Sequence, residues 1–165
     1  MNKFQSGQVK LTFNYNELRV DSIKFKELIT GNWNFILLSS YCTDHQWLIE
    51  QFEGISPNTE INLIEHYDKN SEHAGIQRIS ITTQKTKTRV LNLIHPSFPK
   101  FPNYGVMHCK LMIFASNEFM RIIVSSANLM DYDYEQVQNV FNRNKIIALI
   151  LSCFPVFMFS YFSCL

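Results

Sequence analysis

An α/β fold, a mixed sheet flanked by helices, is the architecture this sequence predicts, and three observations predict it. Short apolar runs of strand length alternate with segments whose apolar residues recur at helical spacing. Of 165 residues, 46% are hydrophobic and 18% charged, which suits one ordinary buried core and is too apolar for a disordered chain. The stretch 146–165 carries no charge, so an apolar C-terminal tail is expected to stand apart from the sheet. Three segments follow: an N-terminal piece over 1–21, a domain over 22–141, and the tail over 142–165.

In chain order, Val9, Leu11 and Phe13 alternate as a first strand. Ser22 is expected to cap a short helix over Ile23, Phe25, Leu28 and Ile29, stopped by Gly31. Phe35 to Leu38 is a strand run that turns at Ser39, Ser40 and Tyr41. Asp44 or Thr43 caps the next helix, which buries Trp47, Leu48 and Phe52 and ends at Gly54. Ile61 to Ile64 reads as a strand, residues from Lys69 to Gly75 as a loop, and Ile79 with Ile81, then Val90 to Ile94, as two more strands. Lys85, Lys87 and Arg89 alternate and would share one face, a solvated edge or a track for a phosphate backbone. The segment Pro96 to Tyr104 holds three prolines and is expected to be an irregular crossing loop.

Chemistry gathers after that loop. In Gly105-Val-Met-His-Cys-Lys-Leu-Met-Ile-Phe114, His108 and Lys110 stand two apart in an otherwise apolar run, which on a strand sends both side chains to one face. A second strand, Met120 to Val124, leads into Ser125-Ser126-Ala127-Asn128, from which a carboxamide can swing back toward its neighbour. A lone strand histidine is usually structural and a strand lysine usually a solvated edge residue. An ammonium inside a run as apolar as Leu111 to Phe114 is costly without a partner, which favours a joint function. Together the three groups describe a phosphate site: lysine and asparagine meet charge on phosphoryl oxygens, and histidine is suited to attack phosphorus near neutral pH.

These residues resemble the first His-x-Lys…Asn motif of tyrosyl-DNA phosphodiesterases, a branch of the phospholipase D superfamily. Asn128 follows the lysine by 18 residues in Val-Ser-Ser-Ala-Asn-Leu-Met. Leu37-Leu-Ser-Ser-Tyr-Cys-Thr-Asp-His-Gln-Trp-Leu48 is similar to the family's strand, turn and helix, and Asp133-Tyr-Glu-Gln-Val-Gln-Asn-Val-Phe141 to the segment after its asparagine. Position 115 is alanine, where the related phospholipases and nucleases would place aspartate. The resemblance implies one half of a phospholipase D-like duplicated fold and a phosphodiesterase acting on 3′-phosphotyrosyl DNA ends in DNA repair. It implies His108 as the nucleophile that becomes a phosphohistidine, Lys110 and Asn128 as phosphate contacts, Tyr41 and Tyr104 beside the DNA channel, and no metal or cofactor. It assigns Gln138 a hydrogen bond to an active-site imidazole, with the register between Gln138 and Asn139 open by one residue. A nuclear protein is the implied location.

Other features set the alternatives. Net charge is +1, so DNA contact must come from a local patch. Cys42, Cys109, Cys153 and Cys164 have no metal-ligand spacing and the N-terminus lacks a signal's apolar core, so a reduced intracellular protein is expected. No second His-x-Lys pair follows Asn128. The expected partner is therefore a missing C-terminal half or a second copy of the chain in a homodimer. A silent DNA-end or phosphate-binding fragment is the competing reading. A third reading comes from the tail: residues 146–165, after Arg143 and Lys145, are long enough to anchor the chain in a membrane as a transmembrane helix, unless they are an aberrant C-terminus.

Overall fold

The computed structural model describes residues 8–15, 22–66, 75–82, 88–96 and 106–147, with 8 and 141–147 as backbone only. Period-two apolar runs become strands and the aromatic-rich segments between them short helices. In chain order these are β1 (Gln8–Thr12), β2 (Ser22–Ile23), α1 (Phe25–Ile29), β3 (Phe35–Ser40), α2 (His45–Gln51), β4 (Glu60–Glu65), β5 (Gly75–Ile81), β6 (Arg89–His95), β7 (Leu111–Ala115), β8 (Phe119–Ser125), α3 (Asp131–Glu135) and β9 (Val140–Ile147). Among the described residues the strands form one nine-stranded sheet in the order β2-β1-β9-β8-β7-β3-β4-β6-β5. Strands β3, β4 and β6 run parallel, while β7, β8 and β9 add antiparallel neighbours, so the sheet is mixed as expected.

Register places the core. Ile36 pairs with Ile61 and Phe114, Leu63 with Leu38 and Leu93, and Met112 with Ile123, so all of these fall on one face and are buried. Phe25, Leu28 and Ile29 of α1, Leu48 and Ile49 of α2, and Phe52 just beyond it complete that apolar layer. Trp47 and Tyr134 stack at 5.7 Å and fasten α3 to α2. The opposite face carries a polar ladder in which Asn92 Nδ2 donates to Asn62 Oδ1 (3.0 Å) and Asn62 Nδ2 to Glu60 Oε1 (3.1 Å).

Several local expectations hold. Asp44 caps α2, its Oδ1 accepting from the Trp47 N–H at 2.9 Å. The chain turns at Gly54 with a φ of 87°, in the region that favours glycine, although α2 itself ends earlier than expected, at Gln51. Gly31 ends the α1 segment where a Cβ would overlap the Trp33 ring.

Others are corrected. Ser22 does not cap a helix: Ser22 and Ile23 pair with Leu11 and Thr12, the Ile23 carbonyl accepts from the Phe13 N–H at 3.1 Å, and α1 starts after Lys24 with no side-chain cap. The local helix signal yields to the first strand, which supplies an edge for a β-branched residue to join. Arg89 is neither a solvated edge residue nor placed for DNA. Its position in β6 points it to the core face, where it is buried and donates to the carbonyls of Ser56 (2.6 Å), Phe52 (3.1 Å) and Ile55. Strand β9 carries the sheet past Phe141 to Ile147. No described helix is long and apolar enough to cross a membrane. Lys85, Lys87, the loop before Gly75, the segment over 97–105 with Tyr104, and 148–165 of the tail lie outside the described residues.

Candidate phosphate site

The strand predicted over Gly105 to Phe114 begins only at Leu111, and residues 106–110 lead into it without regular structure. A side chain replaces the ladder there: Ser39 Oγ accepts from the Leu111 N–H (3.0 Å) and donates to the Cys109 carbonyl (3.1 Å). On the other flank the Lys110 carbonyl accepts from the Ser125 N–H at 3.0 Å. Lys110 is thus fixed between the ends of β3 and β8, where the parallel strands β3 and β4 also present their C-terminal ends.

At that edge Lys110 is buried, at 9% relative exposure, and His108 is exposed. The Lys110 ammonium lies 3.2 Å from both ring nitrogens of His108 and 3.4 Å from its carbonyl oxygen. The expected pairing of imidazole and ammonium is therefore present, produced by a lysine that folds back and not by two residues standing on one strand. A neutral imidazole accepts at one nitrogen only, so with that bond and the one to the carbonyl made, the ammonium keeps a third donor for an arriving anion.

Tyr41 joins the pair. Its ring lies 5.3 Å from that of His108 and stacks on His66 at 5.0 Å with an interplanar angle of 24°. His66 Nδ1 accepts from the Met107 N–H at 3.3 Å, which ties the approach to His108 onto the end of β4.

Asn128 arrives by a separate route. Leu129, its neighbour, donates from its N–H to Ser40 Oγ (3.0 Å) and accepts from the Asp44 N–H (2.9 Å), so the turn after β8 is bound to the turn after β3 that carries Tyr41. The Asn128 carboxamide donates to Asp133 Oδ2 at 3.0 Å, and its Oδ1 is buried with no partner among the described residues. Among the described residues no hydrogen bond links Asn128 directly to His108 or Lys110. All three belong to segments at the same edge of the sheet, and only His108 and Lys110 are bonded to one another. Gln138 is half-buried before β9. Its neighbour Asn139 bonds to Ser126 (2.9 Å) and to the Asp133 carbonyl (2.8 Å).

Sequence reasoning missed a second polar cluster on the same edge. Both oxygens of Glu65 are engaged, Oε2 with His45 Nε2 (2.9 Å) and Oε1 with His95 Nε2 (3.3 Å). The hydrogen bond to Glu65 raises the His45 imidazole above its ordinary value, against the effect of burial. Burial pushes the Glu65 carboxyl up, yet the bonds to His45 and His95 outweigh it and leave the group below the usual carboxylate range. The available signal was positional: Glu65 and His95 each close an apolar strand run at its C-terminal end, where ligand sites of α/β sheets form. Among the described residues no group of three His, Cys, Asp or Glu side chains is arranged to hold a metal ion. Cys42 and Cys109 are free, exposed thiols.

The family model described as tyrosyl-DNA phosphodiesterase matches residues 4–153 of the chain. Among solved structures, yeast tyrosyl-DNA phosphodiesterase superposes with a TM-score of 0.61 at 18% identity, covering 84% of this chain and 32% of that one. A histidine-to-arginine variant of the yeast enzyme gives a TM-score of 0.60 at 18% identity, covering 84% and 31%. At that identity the likeness establishes a shared fold. This chain spans about a third of the length of those relatives. No curated protein sequence matches it significantly.

Proposed function

The chain belongs to the tyrosyl-DNA phosphodiesterase family, and from that premise we propose that it carries the nucleophile half of a phosphodiesterase acting on 3′-phosphotyrosyl DNA ends. One observation carries the reading: a buried ammonium 3.2 Å from an exposed imidazole at the C-terminal edge of the sheet. In the first step a His108 ring nitrogen attacks phosphorus, a P–N bond forms, the P–O bond to tyrosine breaks, and the phenolate takes a proton. In the second, water attacks the same phosphorus, the P–N bond breaks, and a 3′-phosphate DNA end leaves with His108 restored. Lys110 and Asn128 would hold the equatorial oxygens, on which charge accumulates.

By resemblance, a second histidine in the other half of a duplicated fold, supplied by further chain or by a second copy, gives the phenolate its proton and then takes one from the attacking water. Tyr41, beside the imidazole, offers a face on which a base or the tyrosyl ring can stack, and Tyr104 has the same role by resemblance. Gln138 is the proposed hydrogen-bond partner of an active-site imidazole. A nuclear location is the one the family resemblance implies.

The test is an oligonucleotide bearing a 3′-phosphotyrosyl group. A 3′-phosphate product, or an acid-labile phosphoryl adduct on the protein, is expected, and both disappear in His108→Ala. Lys110→Met is expected to slow adduct formation by ~10²–10³-fold, the usual cost of removing one donor to a developing oxyanion. Retarded migration of the oligonucleotide with neither product nor adduct would leave a silent DNA-end-binding module and overturn the enzyme reading.

A further inference from the structure

We infer that Asp133 is the positioning residue that sets Asn128 for phosphate binding, an inference that rests on the reading of Asn128 just given. Both donor groups of Asn128 meet one oxygen of Asp133: the backbone N–H at 2.6 Å and Nδ2 at 3.0 Å from Oδ2. The carboxamide oxygen is buried with no partner among the described residues, so the group is held from its nitrogen end alone.

That asymmetry decides what an anion meets. The terminal torsion of asparagine is broad and roughly two-fold, so a free carboxamide presents its oxygen about as readily as its nitrogen. Its oxygen would repel a phosphoryl oxygen. An ionised carboxylate only accepts, and therefore selects the nitrogen end of the amide. With one Nδ2 proton committed to Asp133, the direction of the second is fixed, and that proton is the one left to donate to phosphate. Bonds to an ionised acceptor are about twice as strong as neutral ones, which keeps the orientation when a ligand arrives.

Asp133 is itself anchored. Its main-chain carbonyl accepts from Asn139 Nδ2 at 2.8 Å, and Asn139 Oδ1 accepts from Ser126 Oγ at 2.9 Å. The Asn139 N–H donates to Thr12 Oγ1 at 2.7 Å, and Thr12 is fully buried in β1. A continuous series of bonds thus runs from the first strand through Asn139 and Asp133 to the carboxamide. It ties the geometry of the site to strands remote from His108.

The experiment is a double-mutant cycle on adduct formation with the 3′-phosphotyrosyl oligonucleotide. Asn128→Ala and Asp133→Ala are each expected to slow the reaction by about ten- to a hundredfold, the range for a lost hydrogen bond to a charged group. The double variant is expected to be no slower than Asn128→Ala alone, because Asp133 acts through Asn128. Asp133→Asn, which keeps a neutral acceptor, should recover part of the rate. Losses that multiply, or an Asp133→Ala protein as fast as wild type, overturn the role of Asp133 and leave the site intact. A folded wild type that is inert overturns the site reading itself.

Where Asp133→Ala does not fold, the side-chain amide signal of Asn128 decides in Asp133→Asn. Inorganic phosphate is expected to shift that signal in wild type and to shift it less in the variant. Equal shifts in both overturn the inference.

Discussion

Arg89 is a charged side chain at 7% exposure whose guanidinium is shared among the carbonyls of Phe52, Ile55 and Ser56, just after α2 ends. Phe52 and Ser56 also accept from the N–H groups of Ile55 (3.0 Å) and Thr59 (3.1 Å) in the turns after α2, and the guanidinium, carried by a strand three elements later, fastens those turns to the sheet. Arg89→Met keeps much of the apolar stem and removes every donor. The expected cost is about 1.5–3 kcal/mol, from the loss of hydrogen bonds to a charged donor, read as a lower denaturant midpoint with unchanged slope. A loss under about 0.5 kcal/mol, the range of ordinary surface substitutions, would mean that water satisfies these carbonyls. Arg89 also marks a limit of reading by pattern. The alternation Lys85, Lys87, Arg89 has the form of a charged edge, and only the register Ile81 to Arg89 and Ile61 to Leu91 reveals that the last member faces the core. His108 and Lys110 stood out as candidates for the opposite reason. Polar groups interrupt an apolar run there, and the anomaly lies within a short stretch of chain. Asp133 and the Glu65 cluster left no such trace, because a carboxylate and the groups that engage it are joined by folding and not by spacing, and Asn139 entered only as the alternative to Gln138.

At the scale of elements, Asp44 was legible as the cap of α2 because capping is decided within four residues. Ser22 was misread because its fate depends on β1, which precedes it. Removing the α2 cap in Asp44→Ala should cost ~1 kcal/mol and lower the melting temperature without changing the affinity for phosphate. A larger loss would mean that the turn holding Leu129 opens as well. The clasp among β4, β6 and α2 gives a pH-dependent expectation. His45 has its folded value raised above 6.5, so its contribution to stability is complete below that pH and is lost as pH rises through the higher value. Glu65 has its folded value held below 4.5, so its contribution is complete above that pH and is lost as pH falls through the lower value. Both contributions coexist between pH 4.5 and 6.5. The melting-temperature gap between wild type and Glu65→Gln should be widest in that window and narrow as pH rises from 6.5 through the higher His45 value. A gap that stays constant across that range would show that the clasp acts by packing alone.

At the scale of the whole molecule, a net charge of +1 means that attraction to DNA cannot be a property of the chain at large. Affinity must come from a local patch, of which the edge holding Lys110 is the candidate, and salt dependence measures how concentrated it is. On a single strand each neutralised phosphate contributes about −0.7 to the slope of log K against log salt. One or two contacts at the His108–Lys110 edge therefore give a slope of ~−0.7 to −1.4 for a 3′-phosphotyrosyl oligonucleotide, measured by anisotropy in the His108→Ala background so that no chemistry intervenes. Adding Lys110→Met should make the slope shallower by about 0.7 and weaken binding to all sequences alike. A slope steeper than about −3 would require cations beyond this edge. The alternating Lys85 and Lys87 would then be the first to substitute, since four or more neutralised phosphates cannot be assembled around one buried lysine.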